Sequence, residues 1–231
     1  MFQRFIGKNP LKNKMNIDSQ YKYDKFAIVN SSILTHMKYD LSEINEIIQN
    51  RRTIYPEFFS DRKVHKEQVE RLLNNAIWAP THGMTQPWRY KVFMGEGLQK
   101  LSSFQSNLYK SITNEDTFNE MKLNKLRNRP LKASAVIAIC MERQVSQKIP
   151  EIEEIEAVAC SVQNMLLTAT AYGLAAHWTS STPTYRTEMK SFLNLSSPDR
   201  CLGFLYLGYP ENEWPKGQRK PIEYVTEWID E

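Results

Sequence analysis

The stretch from Ile152 to Tyr172 constrains this chain more than any other. It contains no proline, is apolar nearly all round (Ala157, Val158, Val162, Met165, Leu166, Ala169, Ala171), and reaches Gly173, a residue suited to the position just past a helix. A helix of that composition must be covered on most sides, so the spacing predicts a central buried helix with the other elements wrapped around it. Ala135–Met141 is β-branched and continuously apolar, which predicts a strand covered on both faces. Trp88–Met94, Ala175–Thr179 and Cys201–Gly208 read as further strands. Amphipathic spacing predicts helices from Leu41 (Leu41, Ile44, Ile47, Ile48, after an Asp40/Ser42 start signal), over His65–Trp78 (Val69, Leu72, Leu73, Ile77) and over Thr184–Leu193. Leu98–Arg129 is helical but polar and reads as a mobile surface excursion. The tail from Tyr209 is rich in Pro, Lys and Arg before an amphipathic end, Ile222–Ile229. The sum is a single α+β domain in which helices outweigh strands.

Composition bounds the function. With 41% hydrophobic and 11% aromatic residues, the chain is of ordinary globular character, neither disordered nor fibrous. Residues 1–40 hold seven Lys/Arg against three Asp, and charges balance in the rest, so the net +4 sits in an N-terminal arm. That argues against a basic nucleic-acid-binding body. The arm, residues 1–39, is aperiodic and reads as an extension of a domain spanning 40–231. The first twenty residues lack the apolar run of a secretory signal, and no segment is long and apolar enough to span a bilayer, so the expectation is a cytoplasmic protein with no membrane partner. Cys140, Cys160 and Cys201 lie in apolar segments without a C-x-x-C pair and read as buried free thiols.

Familiar sites fail on spacing. Gly95-Glu-Gly97 begins a G-x-G-x-x-G pattern, but Lys100 stands where the third glycine is needed, and there is no P-loop, G-x-S-x-G or H-E-x-x-H. His36, His65, His82 and His177 have no metal-ligand spacing, so no metal is expected. Three pieces remain. Arg51-Arg52-Thr53 follows the first helix: two guanidiniums and a hydroxyl suit a phosphate, although on these residues alone cations complementing a helix C-terminus are the favoured reading. Trp78 to Tyr90 packs two prolines, two tryptophans, His82 and Gln86 into one connection, where His82 reads as a surface turn residue or a pocket residue and Trp88 as a core anchor. Gly173 to Ser181 ends a strand in small hydroxyl residues, either a plain terminus or a lining for an anionic or heteroaromatic ligand.

Taken together and in order, Arg51-Arg52-Thr53, Ala79-Pro-Thr-His with Gln86-Pro-Trp-Arg, Gln163-Asn-Met-Leu-Leu through Gly173-Leu to Trp178-Thr-Ser, and Gly203 to Pro210 resemble the nitroreductase family, in particular its small branch, over roughly Asp40 to Tyr209. The resemblance implies a three-layer α+β fold with a mixed four- to five-stranded sheet surrounded by helices around the central helix. It implies an FMN flavoprotein, a homodimer with flavin at the subunit interface, and an NADH- or NADPH-using oxidoreductase that reduces nitroaromatic, quinone or similar small-molecule acceptors by ping-pong hydride transfer. No catalytic side chain is then needed, since flavin N5 carries the chemistry. Arg51 and Thr53 would hold the phosphate and ribityl end, and Arg52 would lie by the pyrimidine side or ribityl chain. Trp78 and His82 would stand near the flavin, supplied by the same or by the other subunit. Trp178, Thr179 and Ser180 would line the ring or phosphate region, and Thr168–Gly173 matches a segment associated with the nicotinamide donor. Met84 stands where many relatives carry Asn. Arg219 lies where larger relatives place a phosphate-contacting cation. The alternatives are a flavoprotein of the same fold performing dehalogenation or ring oxidation, and a non-enzymatic flavin-binding module.

Overall fold

The computed structural model describes residues 39–230. The expectations for residues 1–38, His36 included, lie outside the described residues. Six helices and four strands follow in the order α1 (Leu41–Asn50), α2 (Lys66–Ala76), β1 (Trp88–Phe93), α3 (Glu96–Ile112), α4 (Glu120–Lys132), β2 (Ala135–Met141), α5 (Glu151–Ala171), β3 (Ala175–Thr179), α6 (Thr187–Phe192) and β4 (Arg200–Gly208), with short 3-10 turns between. The sheet order is β1-β2-β4-β3.

Because side chains alternate along a strand, β2 feeds two cores at once. Ala135, Ile137, Ile139 and Met141 join Val158, Val162, Met165 and Ala169 of α5 and Val69, Leu72 and Ala76 of α2. Val136, Ala138 and Cys140 face the other way, onto Leu98, Leu101 and Leu108 of α3 and Met189 of α6. Every residue of β2 is buried, as its unbroken apolar run requires. The result is the expected three-layer α+β arrangement. Four strands are present, and all three pairings are antiparallel rather than mixed. β2 and β3 do run in the same direction, but β4 lies between them.

Three expectations are corrected. The helix α5 is buried on one side rather than all round: Ala157, Val158, Ser161, Val162, Met165 and Ala169 are covered, Ile152 is 58% exposed, and Cys160 is an exposed thiol, not a buried one. Leu98–Arg129 is no surface excursion, because α3 and α4 pack on the sheet and on each other, with Tyr109, Leu123 and Leu126 forming their own cluster. Its buried face carries Ser102, Gln105 and Ser106, which break the apolar period; Ser102 Oγ satisfies itself on the Arg127 carbonyl at 2.6 Å. The tail forms only a 3-10 turn at Ile222–Tyr224, with Trp228 and Ile229 left in solvent. No helix among the described residues is long and apolar enough to cross a membrane.

Candidate functional site

The end of α1 places the arginines. Arg51 closes the last turn through its N–H to the Ile47 carbonyl, and the chain then leaves the helix to lie beside the edge strand, where Ile54 N–H donates to the Ala176 carbonyl at 3.1 Å. Arg52 is committed to backbone: its Nη1 donates to the carbonyls of Gln49 (2.5 Å) and Arg51 (2.8 Å), and its Nε to that of Pro215 (2.9 Å). The Trp214 indole donates to the Asn50 carbonyl at 2.6 Å, so the segment after β4 folds over the end of α1. Gly217 leaves room for the Arg52 guanidinium, since a Cβ there would stand 2.2 Å from its central carbon and displace it. This fold-back brings Arg219 within electrostatic reach of Arg51. Partial burial, then Arg219 and Arg52, hold the Arg51 guanidinium below its ordinary pKa. Among the described residues, no ion pair takes in Arg51, Arg52 or Arg219. Three like charges with no carboxylate between them have the charge and the donors to pair with an oxyanion. Thr53 borders an adjoining hollow of about 300 Å³ with Tyr55 and Pro210.

The end of β3 builds a second feature. Thr179 can approach β4 closely because Gly203 sits opposite at φ +122°, where a Cβ would come within 2.6 Å of the Thr179 carbonyl oxygen. Thr179 and Ser180 then border a cavity of about 270 Å³ closed by Gln105 and Tyr109 of α3 and by Arg129 of α4. Trp178 points to the opposite sheet face and packs on the α5 core, so strand alternation separates it from its two neighbours. Behind the cavity His177 is buried with neither ring nitrogen hydrogen-bonded, its ring 4.7 Å from Tyr55 and 6.1 Å from Tyr206. Burial, aided by Arg129 and opposed by Glu57, lowers its pKa to about 4. Burial likewise pushes Tyr206 up to about 12, tempered by the neighbouring Gln105 side chain. Burial alone would raise the Glu57 carboxyl, but the 2.8 Å bond from Arg129 outweighs it and the net shift is down.

The stretch Trp78–Tyr90 stands apart from both. Trp78 is 84% exposed. His82 Nδ1 lies 2.5 Å from Glu153 Oε2 of α5. Gly83, Met84 and Gln86 all have positive φ (56°, 55° and 45°), a run of left-handed backbone that costs about 1–2 kcal/mol at each non-glycine residue. The Thr81 hydroxyl braces it by accepting from the Gln86 N–H. No described contact or cavity joins Trp78 or His82 to the arginine cluster within one chain. Thr170 and Gly173, from the segment read as a nicotinamide match, border a hollow that also takes in Arg52 and Trp214.

Sequence reasoning missed Tyr55, Gln105, Arg129 and the role of His177. Gln105 and Arg129 lie in the stretch read as surface, and only the residual period Leu98, Leu101, Gln105, Leu108 hints that Gln105 points inward. Among the described residues no group of three or more His, Cys, Asp or Glu side chains is placed to hold a metal.

Comparison with known proteins identifies the fold and the family. A nitroreductase-like family protein from Bacillus cereus superimposes with a TM-score of 0.72 at 30% identity, covering 84% of this chain and 98% of that one. The Escherichia coli K12 protein YdjA, named a candidate NAD(P)H nitroreductase, is 28% identical over 145 residues, 63% of this chain and 77% of its own. The FMN-dependent nitroreductase NfnB of Mycobacterium smegmatis, solved with NADPH, shares the fold at a TM-score of 0.64 and 17% identity, covering 82% of this chain and all of that one. The sequence profile of the nitroreductase family matches residues 48–209, a span running from the arginine cluster through β4; the chain belongs to the nitroreductase family and, with it, to the oxidoreductases.

Proposed function

We propose that this chain is an FMN-dependent oxidoreductase that takes electrons from NADH or NADPH and delivers them, in a ping-pong cycle, to nitroaromatic, quinone or similar acceptors. The observation that carries the reading is the group Arg51, Arg52 and Arg219, held together without a paired carboxylate. Such a group repels itself and an anion among its members relieves the repulsion; a nucleotide phosphate has the charge and the acceptor geometry that guanidinium donors fit. Arg51 and Arg219 hold that phosphate and the Thr53 hydroxyl the ribityl end. Arg52, with Nε and both Nη1 contacts spent on carbonyls, positions the tail that delivers Arg219. The Thr179–Ser180 backbone lines the ring, and Trp178 anchors that segment from the far face. When bound, the flavin supplies the two-electron chemistry, so the protein needs only to bind, orient and exclude water. The FMN and NADPH named for NfnB support this assignment.

A homodimer completes the reading. Within one chain Leu41, Ile44 and Ile48 of α1 are exposed at 68%, 41% and 51%, and so are Trp78, Trp228 and Ile229. Apolar surface on this scale is characteristic of an interface. A second copy covering it would bring Trp78 and His82, which reach no part of their own arginine cluster, toward the partner's flavin. Residues 1–39 are an appendage to this unit.

Purified protein should be yellow, bleach on mixing with NADPH or NADH, and scatter light as twice 27.1 kDa. A colourless protein that takes up no FMN on titration overturns the cofactor, and a monomer that binds FMN tightly overturns the placement of Trp78 and His82. Deleting residues 1–36 should leave turnover within tenfold; a larger loss assigns the arm to the active unit.

A further inference from the structure

The cavity at the end of β3 has a chemistry of its own. Lys122, Lys125 and Arg129 follow one another at spacings of three and four, so all three fall on one face of α4, and all three border the cavity. No carboxylate contributes to its lining. Glu57 is committed to Arg129, which leaves the two lysines as surplus positive charge at the exposed rim. Below the rim the walls are aromatic, Tyr109, Phe204 and Tyr206, all buried. At the bottom, Gln105 is 1% exposed and its Oε1 has no hydrogen-bond partner, an acceptor desolvated by the fold. Burying such an oxygen without a donor is unfavourable, and a ligand that brings a donor would recover that cost. The volume, about 270 Å³, falls just below the ~300–1,000 Å³ of pockets for drug-sized ligands and is too small for a dinucleotide.

We infer that this cavity is a binding site for a small aromatic anion: a single ring against Tyr109, Phe204 and Tyr206, its carboxylate or phenolate toward Lys122 and Lys125, and a donor substituent toward Gln105. Binding follows from the lining alone. That this anion class is the preferred electron acceptor rests on the FMN reading above, because Thr179 and Ser180 border the cavity and are also assigned to the flavin ring.

The test uses the purified full-length protein loaded with FMN. In titration calorimetry 4-hydroxybenzoate should bind at least tenfold more tightly than its neutral isostere 4-hydroxybenzamide, and the double variant K122Q/K125Q should erase that preference. Gln105→Leu should weaken both probes while leaving their ratio in place. Equal affinities for acid and amide in the parent protein, or a preference that survives K122Q/K125Q, overturns the site. Release of FMN by 4-hydroxybenzoate, followed by recovery of flavin fluorescence, also overturns it, since the cavity would then be part of the flavin pocket. In turnover with NADPH, kcat/KM for 4-nitrobenzoate should exceed that for 4-nitrobenzamide in the parent and not in the double variant. A protein that takes up no FMN on titration yet still prefers the acid sinks the FMN reading and keeps the anion site, whereas a flavin-loaded protein without the preference sinks the anion site alone.

Discussion

On the α2/α5 face of the sheet, Ile137, Ile139, Leu205 and Leu207 meet Val158, Val162 and Met165, and the Tyr90 hydroxyl finds Ser161 at 2.8 Å. On the α3/α4 face, packing is as tight but the contents differ: His177, Gln105 and Glu57 are covered there with at least one polar atom each left without a partner. Each unsatisfied atom costs about 1–3 kcal/mol. The α5 side keeps one as well, Glu154 Oε1, beside the oxygen that takes Arg143, so the two faces differ in how many unpartnered polar groups they cover and in the cavity that α3 and α4 border.

The largest effect expected is on the apolar face. Met165 is fully buried between α5 and the sheet, so Met165→Ala should cost about 2–5 kcal/mol through lost transfer energy and the cavity left behind. Urea unfolding should show the loss. Ligand preference should be unchanged, and a variant that lost anion selectivity along with stability would show that the two faces are coupled through the strands.

Legibility followed the same division. β2 is readable to the residue because a strand covered on both sides has no polar interruption, and β3 because Gly173 and the hydroxyl run Thr179-Ser180-Ser181 bound it. The central helix is readable as an element, while its outward side is overestimated as buried, since composition alone does not say which apolar residues of a helix face solvent. The Arg51–Thr53 segment stands out as a candidate site only through the family resemblance, because its guanidinium chemistry alone favours cations complementing a helix C-terminus. Its connection to Arg219 depended on the Arg52 guanidinium taking the Pro215 carbonyl and on Gly217 clearing the way, neither of which has a local signature. The cavity was hidden because its polar wall, Ser102, Gln105 and Ser106, removes the apolar period that announces a buried helix face.

The arginine cluster offers the next largest effect, and it acts on binding. Arg51→Ala should weaken FMN by about 1.5–3 kcal/mol, the scale of a charge-assisted hydrogen bond. Flavin-free protein should lose no stability, because the substitution relieves repulsion from Arg219 and Arg52. Fluorescence titration with FMN and thermal melts of the flavin-free protein report the two quantities separately. A drop in melting temperature without a change in affinity would make Arg51 a structural residue.

His177 tests the polar face through pH. Its folded pKa of about 4 lies below the ordinary 6.5, so between these values the unfolded chain binds more protons than the native state. Stability is therefore full above about pH 6.5 and declines as pH falls toward 4, by on the order of 2 kcal/mol. His177→Phe keeps a ring between Tyr55 and Tyr206, removes two unpartnered nitrogens and should flatten that window. The Glu57 and Asp199 carboxyls, both held low, contribute only at more acidic pH. Denaturation midpoints at intervals from pH 7 to 4 decide the point, and an unaltered slope in His177→Phe would assign the pH dependence elsewhere.

The smallest effect belongs to the exposed turn around Met84, which packs on neither face. Met84 holds φ +55° while 73% exposed, so its side chain gains little from packing and its backbone occupies a region that favours glycine and asparagine. Met84→Asn should raise stability by about 0.5–1 kcal/mol, and Met84→Gly, which also enlarges the unfolded ensemble, should give less. The neighbouring Gln86, at φ +45° with its N–H on the Thr81 hydroxyl, is constrained by a bond that Met84 lacks. If Met84→Asn is neutral or destabilising in urea unfolding of the flavin-free protein, its left-handed conformation is being held by contacts with a second subunit, and dilution to monomer should then restore the gain.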